Sequence, residues 1–373
     1  MAKVGILSMQ RIINYGSFLQ AYALKTLLEE QGHEVQFVDY RVGMPLIESN
    51  GANKKGTFGK VYKAFEALGY DASFKQKLKF ILYKKQFAKK YHNLLGFTVQ
   101  PNYTPELDVL VIGSDEVFNC VQKNPNVGYS LELFGANNKA NKLISYAASF
   151  GNTTVEKLKE YNKTAEVGEL LKKFNSISVR DENSGRTVHA LAGREVVYHL
   201  DPVLAYDYIG KCNKIPTLQS REKYMILYAY SGRISKEESD KIAAYAKNKG
   251  LKIYAIGGVQ KCADRFINCS PFEVLAYFNN AEEVITDTFH GTIFSIITKQ
   301  KFTTLVRKSV GTSYGNEEKL TDLLVRLRLS ERIAFDIEEV FEHQSKSIDY
   351  DVVQTIINKE RIRTFEYLRD EVK

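Results

Sequence analysis

Short apolar runs alternate along the chain with amphipathic stretches, and this alternation predicts strands and helices in turn. In the first forty residues VGILSM has the length of a buried strand, FLQAYALKTLLEE repeats its apolar residues with the helical period, and EVQFVDY is a second strand. Further runs of strand type follow at 107–114, 142–149, 176–181 and 196–203. This order predicts a mostly parallel, doubly wound α/β sheet.

The pattern restarts near residue 206. KYMILYAYSGR is typical of a strand and a turn, SKEESDKIAAYAKNKG of a capped helix that ends in glycine, and LKIYAIGG of another strand. A chain of 373 residues is also long for one core, so surface-to-volume scaling favours two. We therefore predict an N-terminal α/β domain at 1–205, a C-terminal α/β domain at 206–345, and a terminal helix at 346–373 that packs back across the domains.

The formal net charge of +8 is concentrated in one segment, residues 54–92, which contains eleven lysines and two acidic residues. Within it, KLKFILYKKQFAKKY mixes lysine with aromatic and aliphatic residues, a pattern typical of a basic amphipathic helix at an anionic membrane surface. The alternative is a solvated helix whose apolar side packs on its own domain. Nucleic acid is disfavoured, because no binding motif is present and lysine without arginine is a poor reader of bases.

Composition and motifs exclude several classes of protein. The four cysteines lack a CxxC pair, and no cysteine and histidine pair has ligand spacing, so we expect neither a disulfide scaffold nor a metal. No apolar run reaches the roughly 18 residues of a membrane-spanning helix, and the start of the chain lacks a signal-peptide pattern, so we expect a cytoplasmic protein. GxGxxG, Walker and GxSxG motifs are absent as well.

The stretch EEVITDTFHGTIFSII places a histidine where an apolar strand turns directly into an apolar helix. We predict that the helix starts at Gly291 or Thr292, and that His290 lies in the connecting turn and projects into a crevice. A helix N-terminus disfavours positive charge, so an imidazolium there is a stronger acid, and Asp287 is close enough in sequence to orient the ring. The alternative is a histidine that only fills the core and bonds to backbone.

Polar residues follow the predicted strands, where ligands of doubly wound sheets bind. Arg180 ends one strand, and its guanidinium offers a fork that matches carboxylate or phosphate. An internal salt bridge to Asp181, Glu182 or another acid is the alternative. Further polar side chains lie after other strands, namely Ser114, Asp115 and Asn119, and the loop that opens the first helix contains Asn14, Tyr15, Gly16 and Ser17.

Several blocks in this order resemble the polysaccharide pyruvyl transferase family. They are VGILSMQRIINYGSFLQAYALKTLLEEQGHEVQFVDY, VLVIGSDEVFN, ISYAASFG, SVRDENSG, LDPVL and ITDTFHGTIFSIITKQKF, and they span about residues 3–305. The resemblance implies two doubly wound domains of the glycosyltransferase-B (GT-B) type with a cleft between them. It also implies a transferase of polysaccharide or exopolysaccharide biosynthesis that moves a pyruvyl group from phosphoenolpyruvate to two sugar hydroxyls, forming a ketal without a cofactor.

Carried onto this sequence, the resemblance implies that His290 is the acid and base, with Asp287 beside it, and that Arg180 is an anion clamp. Donor binding is expected from the helix start at Gly291 and Thr292. Many members have arginine two positions before the histidine, where this chain has Thr288, and Arg307 and Arg180 are candidates to replace it. The loop 14–17 and the block 114–119 are expected to line the cleft on the N-terminal, acceptor side.

The resemblance and the lysine segment together suggest an acceptor sugar on a lipid diphosphate and peripheral contact with the inner face of the membrane. Two other functions remain open on the residues alone. One is a GT-B glycosyltransferase with a nucleotide-sugar donor, because helix N-termini bind its diphosphate equally well. The other is a non-catalytic carbohydrate-binding relative, which the threonine at 288 allows.

Overall fold

A computed structural model describes residues 1–47, 68–122, 124–219, 222–308 and 317–373. Part of the predicted basic helical segment, 54–67, lies outside these residues. The strands form two sheets of six, and every pairing between neighbouring strands is parallel. The prediction of two doubly wound α/β units is confirmed.

The first sheet has the order β2-β1-β3-β4-β5-β6. In its register Ile6 lies between Phe37 and Val111. The central strands have helices on both faces, which explains why they are nearly continuous apolar runs in the sequence. The strands are β1 (Lys3–Leu7), β2 (Glu34–Val38), β3 (Glu106–Asp115), β4 (Lys139–Ala148), β5 (Ser178–Val179) and β6 (Val197–Tyr198).

The second sheet has the order β12-β11-β10-β7-β8-β9. Ile285 lies between Leu227 and Thr303, so the strand that leads to His290 is central and wholly buried. The strands are β7 (Tyr224–Tyr228), β8 (Lys252–Ile256), β9 (Arg265–Phe266), β10 (Glu283–Thr286), β11 (Phe302–Leu305) and β12 (Ile333–Ala334). The predicted domain boundary at 205 and 206 falls between β6 and β7.

Helices flank both sheets and begin at side-chain caps in most cases. Within the described ranges they are α1 (Tyr15–Glu29), α2 (Phe74–Tyr91), α3 (Val155–Glu160), α4 (Thr164–Leu171), α5 (Glu182–Ala192), α6 (Pro202–Ala205), α7 (Tyr208–Lys211), α8 (Lys236–Asn248), α9 (Pro271–Asn279), α10 (Phe289–Ile297), α11 (Glu317–Arg326), α12 (Ile337–Ser345) and α13 (Tyr350–Glu371), with 3-10 turns at His92–Leu95, Leu131–Phe134 and Ser330–Arg332.

Helix α2 carries seven of the eleven lysines of the basic segment and packs between the two halves of the molecule. Phe80, Tyr83 and Phe87 are buried on its inner face. The Tyr83 ring lies 5.1 Å from Tyr15 of α1 and 6.1 Å from Phe266 of β9, centroid to centroid. Among the helices in the described ranges, none has both the length and the apolar character needed to cross a membrane.

The last helix, α13, contacts both halves of the molecule. At its start the Tyr350 hydroxyl donates to the backbone oxygen of Gln300, beside β11. Near its end the Tyr367 hydroxyl donates to the Ser145 oxygen of β4 at 2.8 Å, and Thr364 contacts the Tyr146 hydroxyl at 3.0 Å. The helix therefore contacts the second sheet beside β11 and the first sheet at β4.

Candidate active site

The helix α10 begins earlier than the sequence predicts, and this changes the position of His290. Thr288 is the N-cap, and its Oγ1 accepts a hydrogen bond from the Gly291 N–H at 3.0 Å. His290 is therefore the second residue of the helix and does not lie in a connecting turn. The prediction of a helix start at Gly291 or Thr292 is wrong because the threonine hydroxyl caps the helix three residues earlier.

The imidazole of His290 faces the N-terminal half of the molecule. The residue is 9% exposed, and its Nε2 lies 3.6 Å from Oδ2 of Asp201. This distance exceeds a hydrogen bond, and Nε2 has no hydrogen-bond partner in the part of the chain that the structure describes. A buried ring nitrogen without a partner is costly, so a ligand atom that bonds to it gains affinity.

Gly16, in the first turn of α1, allows the two halves to meet at this ring. A Cβ on Gly16 would lie 2.2 Å from both Cγ and Nδ1 of His290, closer than any real contact. The neighbouring N-cap, Asn14, donates from Nδ2 to the Tyr230 hydroxyl of the C-terminal half at 2.8 Å. The predicted loop 14–17 thus lies against the predicted histidine.

Asp201 is the carboxylate beside the imidazole, and the sequence did not single it out. Its Oδ2 accepts from Arg180 Nη1 at 3.0 Å and from Ser114 Oγ at 3.3 Å, and its Oδ1 caps α6 through the Val203 N–H at 3.0 Å. Burial alone would raise the pKa of Asp201, but the close His290 imidazole and the positive charge of Arg180 outweigh it and lower the pKa. The Asp201 carboxylate is therefore ionised at neutral pH.

Arg180 is buried and lies between two carboxylates. Besides its bond to Asp201, Nη2 lies 3.8 Å from Asp115 Oδ1, and the guanidinium sits 4.3 Å above the Phe289 ring. Burial opposes its charge, yet the nearby carboxylates, Asp201 foremost, raise the pKa of Arg180. The internal salt bridge that the sequence left open is present, with Asp201 as the partner. The role of anion clamp stays a prediction, and Nε lacks a hydrogen-bond partner within the described residues.

The remaining predicted residues of the N-terminal half divide into two groups. Ser17 and Ser114 join the network around Arg180, since Ser17 Oγ donates to Asp115 Oδ2 at 2.8 Å. Tyr15 and Asn119 are engaged in structural bonds: the Tyr15 hydroxyl donates to the Cys269 oxygen at 3.0 Å, and the Asn119 amide bonds to Glu116 and Thr153.

On the C-terminal side, Asp287 is fully buried at the end of β10. Its Oδ2 lies 3.7 Å from Nη1 of Arg233, a residue that the sequence did not single out. Burial raises the pKa of Asp287 to about 6, although Arg233, Arg307 and the Tyr230 backbone N–H favour the charged form. The predicted role of Asp287 in orienting His290 stays a prediction, and the carboxylate that the structure places beside the imidazole is that of Asp201.

The predicted donor-binding residues have other partners here. The Gly291 N–H bonds to the Thr288 cap, while the buried Thr292 hydroxyl donates to the Thr288 oxygen at 3.0 Å and contacts Thr304 at 2.9 Å. Arg307 makes two hydrogen bonds to Glu238, at 2.7 and 3.0 Å. Their role in donor binding stays a prediction.

Among the described residues no group of three or more histidine, cysteine, aspartate or glutamate side chains is arranged to hold a metal ion.

Two parallel doubly wound sheets joined in this way, with the histidine between them, define a fold of the GT-B type. A putative UDP-N-acetylglucosamine 2-epimerase from Listeria monocytogenes has this fold, with a TM-score of 0.53 at 8% identity over 98% of this chain and 95% of that chain. The sequence profile of the polysaccharide pyruvyl transferase family matches residues 14–309, and the chain belongs to this family.

Two further structures are similar at lower scores. A UDP-GlcNAc 2-epimerase from Neisseria meningitidis bound to UDP-GlcNAc has a TM-score of 0.49 at 9% identity, covering 99% of each chain. An O-GlcNAc transferase mutant from Thermobaculum terrenum has a TM-score of 0.44 at 11% identity over 99% of this chain, which spans 65% of that protein's length. A comparison with curated proteins by sequence gives no match.

Proposed function

We propose that this transferase moves a pyruvyl group from phosphoenolpyruvate to two hydroxyls of a sugar and forms a pyruvate ketal. One observation supports it most: the buried His290 Nε2 has no hydrogen-bond partner in the described structure, and an ionised Asp201 lies 3.6 Å away, beside Arg180. This chemistry requires a proton donor, a carboxylate beside it and a guanidinium that binds an anion.

In the first step His290 donates its Nε2 proton to the methylene carbon of phosphoenolpyruvate, which becomes a methyl group. The electron pair of the double bond forms the new C–H bond and leaves an oxocarbenium-like centre at C2. The carboxylate of Asp201 lies 3.6 Å from this Nε2. The adjacent Arg180 keeps that carboxylate ionised and in place.

In the second step one sugar hydroxyl attacks C2 and loses its proton to the now neutral His290. A second hydroxyl then attacks the same carbon, the bond between C2 and the phosphate oxygen breaks, and phosphate leaves with the electron pair. The second hydroxyl proton leaves with phosphate or solvent. Arg180 Nε, buried without a hydrogen-bond partner in the described ranges, is the donor that we assign to an anionic group of phosphoenolpyruvate.

A direct test compares ligands and then products. Thermal shifts with phosphoenolpyruvate and with a panel of nucleotide sugars show which donor binds the folded protein, because a ligand specific to that state raises its stability. Release of phosphate from phosphoenolpyruvate in the presence of sugar acceptors, with mass spectrometry of the product, then tests ketal formation. Stabilisation by a nucleotide sugar and none by phosphoenolpyruvate would overturn the proposal in favour of a glycosyltransferase.

For the acceptor we propose a sugar in a polysaccharide or in its lipid-diphosphate-linked precursor, met at the inner face of the membrane. The outward face of α2 supports this part. Phe74, Leu78 and Leu82 are 67%, 44% and 47% exposed at helical spacing, with exposed lysines around them. Apolar residues bordered by lysines fit an anionic lipid surface.

The membrane proposal is tested with vesicles of phosphatidylcholine and phosphatidylglycerol. Replacing Lys75, Lys79, Lys85 and Lys89 by glutamate should abolish co-sedimentation, because each lysine near such a surface contributes about 1 kcal/mol. The matched control makes the same change at four exposed lysines elsewhere, Lys159, Lys173, Lys223 and Lys247. An equal loss of vesicle binding in both variants would show that only net charge matters. Unchanged vesicle binding in the first variant would exclude α2 as the membrane-binding surface. Lys84 is left intact because its Nζ donates to the Ile13 oxygen at 3.1 Å.

A further inference from the structure

We propose that Arg233 is a second anion-binding residue of the cleft, one that binds the phosphate or the carboxylate of the donor. This inference rests on the proposed function in taking phosphoenolpyruvate as the donor. Arg233 ends the turn after β7, the first strand of the second sheet, on the side where ligands of parallel sheets bind.

The turn at 230–233 places the guanidinium of Arg233 over the Tyr230 ring. The Arg233 N–H donates to the Tyr230 oxygen at 3.3 Å, and Gly232 takes a positive φ of +80° that closes the turn. The guanidinium lies 4.8 Å above the Tyr230 ring. Arg307 Nη2 donates to the Arg233 oxygen at 3.2 Å, so Arg307 supports the turn from behind.

The guanidinium of Arg233 is more available than those of the two neighbouring arginines. Arg180 is hydrogen-bonded to Asp201 at 3.0 Å, and Arg307 is bonded twice to Glu238. By contrast, the ion pair of Arg233 with Asp287 spans 3.7 Å, which is longer than a hydrogen bond, and the side chain is 31% exposed. The exposed part of the Arg233 guanidinium is therefore able to reach a ligand, and only the long contact with Asp287 has to give way.

Arg233 also lies on the His290 side of the cleft. The ring that it covers, Tyr230, accepts a hydrogen bond from Asn14, two residues before the Gly16 that touches the imidazole. On the other side Asp287 precedes the cap of the His290 helix directly. Arg233 is thus linked to the region around His290 through residues of both halves of the molecule, Asn14 on one side and Asp287 on the other.

Charge gives the reason for a second cation. Around Arg180 two carboxylates, Asp115 and Asp201, already face one guanidinium. Phosphoenolpyruvate brings a carboxylate and a phosphate, and such groups bind buried sites only where cations offset them. When Arg233 turns to the donor, Asp287 loses part of its favourable charge environment, and burial already leaves the carboxyl easy to protonate.

The test measures dissociation constants of wild type, Arg233→Met and Arg233→Lys by calorimetry with phosphoenolpyruvate, inorganic phosphate and pyruvate. Arg265→Met is the matched control, because Arg265 also pairs with an acid, Glu222, and lies over a tyrosine ring, but on the edge strand β9. We expect Arg233→Met to weaken phosphoenolpyruvate binding about 10- to 100-fold, the range for charge-assisted hydrogen bonds. Arg233→Lys should recover part of the loss, and the control should match wild type.

The two simple anions identify the group that Arg233 binds. Weakened binding of inorganic phosphate alone assigns the phosphate, and weakened binding of pyruvate alone assigns the carboxylate. Unchanged constants for all three ligands in Arg233→Met would overturn the inference while leaving the proposed function intact. A different result is that wild type binds inorganic phosphate, Arg233→Met binds it more weakly, and neither protein binds phosphoenolpyruvate. The anion site at Arg233 would then be supported, and the proposed function would be wrong.

Discussion

The two halves of the molecule surround the His290 site with charged residues in different ways, and we call these two sets of residues its walls. The N-terminal wall, formed by Ser17, Ser114, Asp115, Arg180 and Asp201, is a buried network in which each of these side chains bonds or pairs with another. The C-terminal wall, formed by Tyr230, Arg233, Glu238, Asp287 and Arg307, has a partly exposed guanidinium with a long ion pair. The first arrangement fixes geometry, and the second leaves donors for a ligand.

The electrostatics of the two aspartates show the same difference. The pKa of Asp201 is lowered despite burial, because the close His290 imidazole and the positive charge of Arg180 favour the carboxylate. Burial dominates at Asp287 and raises its pKa to about 6, because the Arg233 contact is longer. The His290 imidazole and the Arg180 guanidinium thus keep Asp201 charged, whereas the longer Arg233 contact does not offset the burial of Asp287.

The largest expected effect concerns the histidine between the walls. His290→Asn keeps a polar side chain of similar reach but cannot donate a proton near pH 7, so turnover should fall on the order of 10²- to 10⁴-fold. Binding of phosphoenolpyruvate should change much less, because we assign its anionic groups to arginines. Steady-state kinetics and calorimetry measure the two effects, with a circular dichroism melt as the folding control. A stable variant that binds the donor and turns over at the wild-type rate would remove His290 from the mechanism.

The next effect separates the two arginines. Arg180→Lys keeps the charge and loses the fork that bonds Asp201 in a buried site, so we expect a loss of about 2–3 kcal/mol of unfolding free energy. Donor affinity should also fall more than tenfold if Arg180 binds the donor through two bonds. Arg233→Lys should stay within about 0.5 kcal/mol of wild type, as partly exposed pairs do. Urea unfolding measures both, and equal stability losses would mean that the two walls are not different.

The sequence predicts a larger part of the fold than of the site. The apolar run at 107–114 corresponds closely to β3, because a central strand buried on both faces leaves a continuous signal. The run at 196–203 contains only a two-residue strand, since Asp201 and Pro202 start a helix. Local patterns therefore identified the elements but not all of their ends.

The site residues that the sequence missed depend on contacts between distant segments. Asp201 and His290 are far apart in the chain and meet only when the two halves dock, so no local spacing indicates the pair. The available signal was the position of Asp201 before Pro202 at the end of a strand, where caps and ligands both occur. Arg233 follows a strand in a turn without a motif, and only the geometry of its ion pair distinguishes it.

A smaller effect on activity is expected at the contact between the walls. Gly16→Ala places a methyl group where the His290 ring stands, so the ring or α1 must shift, and turnover should fall about 10- to 100-fold. Gly69→Ala is the matched control, because no atom of the described residues lies within 4 Å of its added Cβ. Thermal melts show whether Gly16→Ala folds. Wild-type turnover in a folded Gly16→Ala variant would show that the position of the ring is not critical.

The smallest effect concerns how the free energy of unfolding depends on pH, and replacing the two aspartates by asparagine should change it in opposite directions. The folded-state pKa of Asp287 is raised from 3.8 to about 6, so between these values the native protein keeps a proton that the unfolded chain has lost, and stability falls as pH rises. Asp287→Asn removes this loss and should gain on the order of 2 kcal/mol relative to wild type between pH 4 and 7. Asp201 has a lowered pKa, so its contribution is present above its unfolded pKa and is lost in acid, and Asp201→Asn should lose stability at pH 7. Urea unfolding across this range measures both, and a loss at pH 7 in each variant would mean that Asp287 is held by its arginines as firmly as Asp201 is.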